Sequence, residues 1–583
     1  MIRKLIKLSH ILRDSIFSDE LNKVSVSNQN TFIPKLLFSL TICLYITYQI
    51  LIQSSWLFSG EMWAEMATNY FVNAKSSSYL TNFFATDAGY IPLPPRIIAF
   101  IGNSLNMSAA VIPYFYTWSG IVLTGMMIGS FCLPQFSVVI KSNELRFLTA
   151  LTILIVNDFD VKTFINFTYF ASFFIAIITA LSLVDKSKEV PWWSWFIPIL
   201  IISKPAVLAT LPAMIVVAIV SKNRFRLITL ISASLCLLQI SQMIISHKSG
   251  LFITSNEEGI LLKILTSFKY FFGLLGKYFF GRSLDINKYC AIALGIILVI
   301  IAVFLSKEKK CNSIALVLIG LSLLFFNVLL NSFTLSDHWN SDISQLGGIP
   351  FYRHIIVGFF GSVLFVCGIS DMLSKLDICK SFPKFLQKNF AAFLFLIWFD
   401  AGLWLKYSKS QTLPLSLINS QWQNMSSLID QEDLPICVPV APINFVYSRN
   451  CSLLTEIPSW NGIASWNGIA KLEKEQLFLD VKIPTDLTNK TIISAAILVK
   501  PLSSQEEVLV NAQLVIKLNN GAIKNYFGEK YLKASDGLIL LTGKDEISVN
   551  EISSIKIIFN KPVEIAMDGN TQDKSPAVSW MGN

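Results

Sequence analysis

Carboxylates are the first candidate reactive groups in the sequence, and they lie in one stretch between residues 57 and 108. Glu61 and Glu65 are four residues apart, on one face of a helix, where the first long apolar run ends. Asp87 opens the segment Asp-Ala-Gly-Tyr-Ile-Pro-Leu-Pro-Pro-Arg, whose prolines can hold the acid and the base, Arg96, at fixed positions. Such carboxylates can take a proton from a hydroxyl nucleophile. In the alternative interpretation, these acids lie on an interfacial helix and contact only water.

The elements around these acids are those of an integral membrane protein. Hydrophobic residues make up 53% of the 583-residue chain and charged residues only 15%. Uncharged apolar stretches recur between residues 36 and 405, each close to the roughly 20 residues that span a bilayer as a helix. The sequence therefore predicts an α-helical polytopic membrane protein with about 11 transmembrane helices. The net charge of +9 is not a nucleic-acid signal, because Lys and Arg lie mostly between the apolar stretches.

The distribution of basic residues predicts the orientation of the chain. Residues 1 to 35 form a basic arm without a small-residue cleavage site, and alternate loops after it are richer in Lys and Arg than the opposite loops. The positive-inside rule places the arm in the cytoplasm and residues 406 to 583 outside. Loops 57 to 108 and 246 to 287 are then external. Aromatic and basic residues in the second of these loops predict an amphipathic interfacial helix.

Two pairs of apolar segments are too short to cross the membrane twice. Residues 192 to 220 have basic flanks at both ends, so the chain must turn within them, yet a helix of that length reaches only about 43 Å. Two crossings need about 60 Å. The turn is predicted at Ser203-Lys204-Pro205, and a similar turn within residues 145 to 184 at Asn157-Asp158-Phe159-Asp160. Backbone that turns at this depth needs protein or a water-filled cavity around it, so the pairs predict an outward-facing cavity.

Residues 406 to 583 lack any run long enough to span a membrane. Short alternating segments predict strands at 492 to 499, 507 to 518, 537 to 541 and 552 to 565, with turns at Pro501, 519 to 521 and 543 to 545. A small external β-sandwich is the simplest arrangement of these strands. Cys437 and Cys451 precede them in an oxidising compartment, which favours a disulfide over two free thiols.

Four short motifs lie among the apolar segments and long loops of residues 36 to 405. They are Asp-x-Gly-Tyr-x-Pro-Leu-x-x-Arg from Asp87, Phe-Ile-Asn-Phe-Thr-Tyr at 164 to 169, Ser-Lys-Pro at 203 to 205 and Phe-Tyr-Arg at 351 to 353. This region resembles GT-C-type membrane glycosyltransferases, in particular the serotype-converting glucosyltransferases that modify bacterial O-antigens. The resemblance implies inverting transfer of a sugar, glucose in that family, from a polyprenyl-phosphate carrier to a lipid-linked glycan or lipopolysaccharide O-antigen. It also implies a bacterial inner-membrane protein whose C-terminal domain is periplasmic.

The resemblance implies roles for particular residues. Glu61 is the expected base for the acceptor proton, Asp87 is the second choice, and Glu65 would orient or replace Glu61. The cations expected to stabilise the departing lipid phosphate are Arg353, Lys204 and Arg96. The residues expected to bind substrate are Tyr90, Asn166, Tyr169, Tyr352 and His338. Anchoring in the interface by snorkelling is the alternative role of the three cations.

The sequence also leads to expectations about cofactors and about alternative functions. The sequence has no His, Asp and Glu cluster at metal-ligand spacing, so it predicts no tightly bound metal or other cofactor. The sequence also allows a labile Mg²⁺ or Mn²⁺ that is held by a donor phosphate together with Glu61 or Asp87. An oligosaccharide-lipid transporter or flippase, an O-antigen polymerase and a non-catalytic sensor are the alternative functions. Acids at the outer surface and the lack of an internal repeat favour a transferase over a transporter.

Overall fold

The computed structural model of the chain divides into two compact units. The helical unit comprises Met1–Ser54, Ser78–Ile98 and Thr117–Pro414, and the sheet unit comprises Ser55–Ser77, Ala99–Tyr116 and Leu415–Asn583. The described residues are 32–75, 79–156, 160–185, 189–221, 223–248, 259–280, 287–308, 311–335, 338–347, 353–376, 383–404, 420–431, 435–442, 445–455, 468–472, 477–502, 508–532, 537–568 and 575–583. Parts of the first long loop thus belong to the sheet unit, whereas composition alone places the boundary near residue 405.

Most of the described chain before residue 405 is helical. The α-helices are α1 (Phe32–Leu57), α2 (Val72–Lys75), α3 (Tyr79–Phe83), α4 (Leu93–Ser104), α5 (Ile112–Gly129), α6 (Asn143–Ile155), α7 (Ala171–Val184), α8 (Ile197–Ile201), α9 (Leu211–Val220), α10 (Phe225–Lys248), α11 (Ile260–Phe280), α12 (Lys288–Glu308), α13 (Ile314–Thr334), α14 (Ile356–Ser374), α15 (Lys384–Trp398) and α16 (Trp422–Ile429). Helix α11 occupies the loop in which the sequence predicts an amphipathic helix.

Seven helical segments among the described residues are long and apolar enough to cross a membrane. They are Phe32–Leu57, Ile112–Val138, Phe167–Val184, Phe225–Ser246, Lys288–Lys307, Ile314–Thr334 and Ile356–Ser374. Shorter apolar helices cover Trp192–Ile201, Pro205–Val220 and Asn389–Ala401. The first two of these are the halves of segment 192 to 220, and they break where the sequence predicts the turn. The chain is therefore a helical membrane protein with a β-rich C-terminal region.

Helices α13 and α14 pack closely and fix the chain where α14 begins. A Cβ built on Gly320 would lie 2.4 Å from the Gly361 carbonyl oxygen, and the reverse holds at Gly361. Small residues of this kind let membrane helices approach each other. On α13, the Nδ2 groups of Asn327 and Asn331 donate to the His354 carbonyl oxygen at 3.2 and 2.9 Å. The backbone just before α14 is thereby held against α13.

Strands dominate the sheet unit after residue 435. They are β1 (Ile436–Val440), β2 (Phe445–Arg449), β3 (Ser452–Leu453), β4 (Gly468–Leu472), β5 (Phe478–Val481), β6 (Thr491–Pro501), β7 (Val508–Leu518), β8 (Ile523–Leu532), β9 (Gly537–Ser548), β10 (Ile552–Phe559), β11 (Val563–Met567) and β12 (Val578–Gly582). Strands β1 and β2 pair with each other, and Cys437 of β1 is disulfide-bonded to Cys451.

The remaining strands differ from the expected sandwich of two separate sheets. Among the described residues they form one sheet of ten strands in the order β3-β12-β6-β9-β8-β7-β10-β5, with β11 paired to β6 and β4. Strands β8 and β9 share one pair of opposed residues, Phe527 and Thr542. Without that pair, β3, β12, β6, β9, β11 and β4 would form one sheet and β8, β7, β10 and β5 another.

The predicted turn at residues 543 to 545 is wrong, because Gly543 lies inside β9. A Cβ on Gly543 would lie 2.1 Å from the ring of Tyr526. That ring is fully buried, and its hydroxyl lies 2.8 Å from the carbonyl oxygens of Ile492 and Asp545. Glycine is therefore present at this position to admit a tyrosine ring, and the chain does not turn there.

Candidate active site

Asp87 and Tyr90 face each other across a two-residue turn in the helical unit. The Asp87 N–H donates to the Tyr90 carbonyl at 2.7 Å, and the Tyr90 N–H donates to the Asp87 carbonyl at 3.1 Å. Between them, Ala88 and Gly89 have φ angles of 45° and 80°, the left-handed conformation of tight hairpin turns. Directly paired residues of a hairpin project their side chains to the same side. The Asp87 carboxylate and the Tyr90 ring therefore share one face of the turn.

Gln239 of α10 holds this turn beside the break that precedes Pro205. Its Oε1 accepts a hydrogen bond from the Ile91 N–H at 3.0 Å, and its Nε2 donates to the Ser203 carbonyl at 2.9 Å. The Leu93 N–H also donates to the Ile202 carbonyl at 3.1 Å. Gln239 is fully buried, where amide groups need partners of this kind. The turn and the break consequently lie side by side.

Lys204 lies in that break and contacts two tyrosines. Its Nζ donates to the Tyr90 hydroxyl at 2.5 Å and lies 5.0 Å from the Tyr90 ring centroid. The same atom is 6.0 Å from the ring centroid of Tyr169. Aromatic faces attract cations at these distances. Lys204 is only 9% exposed, so its charged group does not extend into water in the way of a snorkelling anchor.

Asn166 and Asp160 bring a carboxylate to the same region. Asn166 Nδ2 donates to the Asp160 carbonyl at 2.9 Å and lies 3.4 Å from the Asp160 Oδ1. Both residues come before the 3-10 helix Phe167–Phe170, which carries Tyr169. Asp160, Lys204 and Arg353 are all within electrostatic range of the Tyr169 side chain. A carboxylate and two cations therefore surround one buried tyrosine.

Arg353 adds a second positive charge to this region, beside the imidazole of His354. Arg353 Nε lies 3.4 Å from His354 Nε2. Burial, followed by the positive charges of Arg353, Lys204 and His338, lowers the pKa of His354 to about 4. The imidazole is therefore neutral near pH 7. The charges that lower its pKa also favour binding of an anion nearby.

We name these residues of the helical unit the Lys204 cluster. Its members are Asp87, Tyr90, Asp160, Asn166, Tyr169, Lys204, His338, Arg353 and His354. No family model, curated protein or solved structure matches the chain. The functional interpretation therefore depends on the chemistry of the Lys204 cluster.

Glu61 belongs to the sheet unit, where its carboxylate caps α16. Its Oε2 accepts a hydrogen bond from the Trp422 N–H at 2.9 Å, and its Oε1 accepts one from the Gln423 N–H at 3.4 Å. Gln421, the residue before the helix, directs its side-chain amide to the Leu538 carbonyl instead. The first N–H groups of a helix lack partners within it and favour negative charge. Glu61 supplies both the acceptors and the charge.

Lys530 accompanies Glu61 at the start of α16. Burial raises the pKa of Glu61, and the charge of Lys530 and the two backbone N–H groups partly offset this effect. The Lys530 Nζ donates to the Ser420 carbonyl at 3.1 Å. Burial lowers the pKa of Lys530 to about 8, although the charge of Glu61 acts in the opposite direction. The two residues are half-buried and carry opposite charges within electrostatic range of each other.

The other residues expected from the sequence are distributed over both units. Arg96 is buried on α4 in the helical unit, and His338 is exposed. Glu65 is half-buried in the sheet unit, just before the π-helical turn Met66–Phe71. Tyr352 lies outside the described residues. The expected pairing of a loop acid with Arg353 falls within one unit when the acid is Asp87, whereas Glu61 and Arg353 belong to different units.

Three residues of this region are not assigned a role by the sequence motifs. Asp160 is the last residue of the turn that the sequence predicts between two apolar segments. An acidic residue in such a position indicates that a polar group is needed there. Gln239 is a buried amide within an apolar helix, which is a similar signal. His354 follows the Phe-Tyr-Arg motif directly, but neither its burial nor its cationic neighbours are visible in the sequence.

A metal site is not evident within the described residues. There, no group of three or more His, Cys, Asp or Glu side chains is close enough to hold a metal ion. A labile Mg²⁺ or Mn²⁺ at Asp87 or Asp160 would need additional oxygen ligands, which a donor phosphate carries.

Proposed function

We propose that the chain is an inverting glycosyltransferase that moves a sugar from a polyprenyl-phosphate carrier to a lipid-linked glycan or lipopolysaccharide O-antigen. One observation carries the proposal: Lys204, which contacts Tyr90 and Tyr169, shares its surroundings with Arg353 and Asp160. Transfer from a lipid phosphate needs a cation for the leaving group and a carboxylate for the acceptor proton. About 11 crossings, a cytoplasmic N-terminus and a periplasmic sheet unit in a bacterial inner membrane belong to the same proposal.

The proposed reaction exchanges one bond at the anomeric carbon of the donor sugar. The acceptor hydroxyl oxygen bonds to this carbon while the bond from the carbon to the phosphate oxygen breaks. The electron pair of the broken bond stays on the phosphate, and Asp87 takes the acceptor proton. Attack from the side opposite the phosphate inverts the anomeric centre. Glucose is the sugar that the family resemblance implies.

Lys204 and Arg353 are the proposed ligands of the departing phosphate. An ammonium group has three N–H donors, and the Tyr90 hydroxyl accepts one of those of Lys204. The other two can bind phosphate oxygens as charge-assisted hydrogen bonds. Arg353 is exposed, and its planar guanidinium can bind two phosphate oxygens at once. Arg96 is a third cation of the same unit.

Asp87 is the preferred base, and this order reverses the one that the sequence suggests. Both carboxylate oxygens of Glu61 already accept backbone N–H groups of α16, which gives Glu61 a structural role. Asp87 instead shares a face of its turn with Tyr90, the partner of Lys204. Asp160 is the other acid of the Lys204 cluster and serves as an alternative base or as an orienting group.

An assay in membrane vesicles tests the function. Vesicles containing the full chain receive radiolabelled polyprenyl-phosphate glucose and a lipid-linked O-antigen acceptor, and product is measured with inversion at the new linkage. We expect product from the wild type and from Lys263→Met, a matched lysine over the Phe333 ring elsewhere in the helical unit. We expect little or none from Lys204→Met. Movement of the donor across the membrane without glycan product would contradict a transferase and favour the flippase.

A further inference from the structure

A row of exposed or half-buried side chains crosses four strands of the sheet unit, which does not contain the residues proposed for transfer. Phe478 of β5 is opposite Ile558 of β10, Ile558 is opposite Gln513 of β7, and Gln513 is opposite Phe527 of β8. Directly opposed residues share a face, so this row lies on one surface. Phe527 is 58% exposed and Phe478 is 40% exposed. Three strand spacings separate the two rings by about 14 Å.

A groove of about 460 Å³ lies along part of this row, from Ile558 to Phe527. Amide and carboxylate side chains line it beside Phe527 and Ile558, and they are Asn511, Gln513, Glu529 and Asn560. Gln513 Nε2 donates to Asn525 Oδ1 at 3.0 Å, and Asn560 Oδ1 accepts from the Asn511 N–H at 2.8 Å. These bonds hold the amide groups in fixed orientations on the rigid strands.

We propose that this groove binds a neutral glycan chain. A sugar ring offers a face of C–H groups that packs against an aromatic ring, and a rim of hydroxyls that both donate and accept hydrogen bonds. Exposed Phe527 supplies an aromatic face, and the side chains of Asn511 and Gln513 carry both donors and acceptors. Apolar surface with a few oriented polar groups is the usual composition of a binding site. The groove extends across the strands from Ile558 to Phe527, a length that suits a short run of sugar units.

The charges of the surface favour a neutral ligand over a phosphate-bearing one. Within the part of the chain that the structure describes, the groove lining includes one carboxylate, Glu529, and no cation. The nearby Lys556 lies 4.0 Å from the Asp480 carboxylate and 4.5 Å from the Phe478 ring centroid. The described lining would therefore offer nucleic acids and anionic lipid headgroups one negative charge and no cation.

The apolar area is too small for a stable protein interface. Phe478, Phe527 and Ile558 together expose on the order of 250 Å² of side chain, whereas a stable interface buries about 800 Å² on each partner. A single glycan chain needs less area because its hydroxyls bind the amides. The proposed function enters only in the choice of glycan, which would be the acceptor, and binding itself does not depend on transfer.

The test measures glycan binding to the full chain in lipid nanodiscs. The probes are delipidated neutral O-antigen polysaccharide, maltohexaose and cellohexaose, with heparin as an anionic comparison, and binding is measured by calorimetry. We expect at least one neutral probe to bind the wild type, and Phe527→Ala to weaken its Kd by about tenfold or more. The control is Ile523→Ala, which alters a side chain that is 59% exposed on the same strand but outside the groove. We expect its Kd to stay within about twofold of the wild type.

Three outcomes would overturn the proposal. They are no binding of any neutral probe, equal binding by Phe527→Ala and the wild type, and self-association of the chain that Phe527→Ala abolishes. If only the proposed function is wrong, the wild type binds glycan but forms no transfer product, and this result differs from all three outcomes above. Thermal unfolding checks that Phe527→Ala is folded, and a change smaller than about 0.5 kcal/mol is expected for an exposed side chain.

Discussion

Lys204 and Tyr90 are joined by a hydrogen bond of 2.5 Å although 114 positions separate them in the chain. The bond connects the break between two short helices to the turn that carries Asp87. Gln239 supports the same connection through the backbone of Ile91 and Ser203. The candidate base and the candidate phosphate ligand are therefore held in one place by buried polar contacts.

Removing the Lys204 charge should impair transfer far more than removing the Tyr90 hydroxyl. We expect Lys204→Met to slow transfer about 10²-fold to 10³-fold, the usual loss when a group that stabilises developing negative charge is removed. Tyr90→Phe keeps the ring and should slow transfer only about tenfold. The double variant should lose less than the product of the two effects, because the residues are in contact. Multiplicative losses would contradict a shared role.

Acid should destabilise the helical unit through His354. Its pKa is about 4 in the folded chain and about 6.5 when unfolded, so the unfolded chain binds more protons between these values. Stability must then fall as pH decreases from about 6.5 to about 4. We expect His354→Gln to show a smaller drop in unfolding temperature between pH 7 and pH 4.5 than the wild type. Equal drops would show that His354 is not buried among cations.

Glu61 should behave as a helix cap. Glu61→Ala removes the acceptors of the Trp422 and Gln423 N–H groups and should destabilise the sheet unit by about 1 to 2 kcal/mol. Glu551→Ala alters an exposed acid of the same unit and is the matched control, with an expected change below about 0.5 kcal/mol. Chemical denaturation of the full chain, followed by tryptophan fluorescence, measures both. Equal stability of Glu61→Ala and the control would contradict the cap.

Gly543 should tolerate no side chain. A methyl group there meets the ring of Tyr526, which is packed on all sides, so Gly543→Ala should destabilise the sheet unit by about 1 to 3 kcal/mol. The ring cannot move aside without disturbing the contacts of its hydroxyl with Ile492 and Asp545. Replacing Gly259, which has open space around a built Cβ, gives the control. An unchanged denaturation midpoint for Gly543→Ala would show that the strand adjusts.

The sequence supports the helical membrane architecture and the β-rich C-terminal region. Both follow from local pattern, because apolar run length and strand alternation depend on neighbours in the chain. The break before Pro205 is predictable for the same reason, since a helix of the available length cannot cross twice. Gly543 is misinterpreted as a turn residue, because the ring of Tyr526 that requires a glycine there comes from another strand.

The arrangement of the site depends on contacts that one sequence does not contain. Lys204, Tyr90 and Tyr169 are each identifiable from short motifs, but Lys204 and Tyr90 are brought together by the bonds of Gln239 to the backbone of Ile91 and Ser203. Glu61 has the residue type and position of a catalytic acid, yet its partners are backbone N–H groups of residues more than 300 positions away. Backbone groups carry no sequence signal, so this role is visible only in the folded chain.

The most direct test of the central claim compares Asp87→Asn with Glu61→Gln in the same vesicle transfer assay. Each change removes a carboxylate with little change of shape, and the two variants are compared at equal amounts of folded protein. The proposed mechanism predicts that Asp87→Asn lowers the transfer rate about 10²-fold to 10⁴-fold. The transfer rate of Glu61→Gln should stay within about threefold of the wild type. A normal rate for Asp87→Asn together with a rate near zero for Glu61→Gln would contradict it.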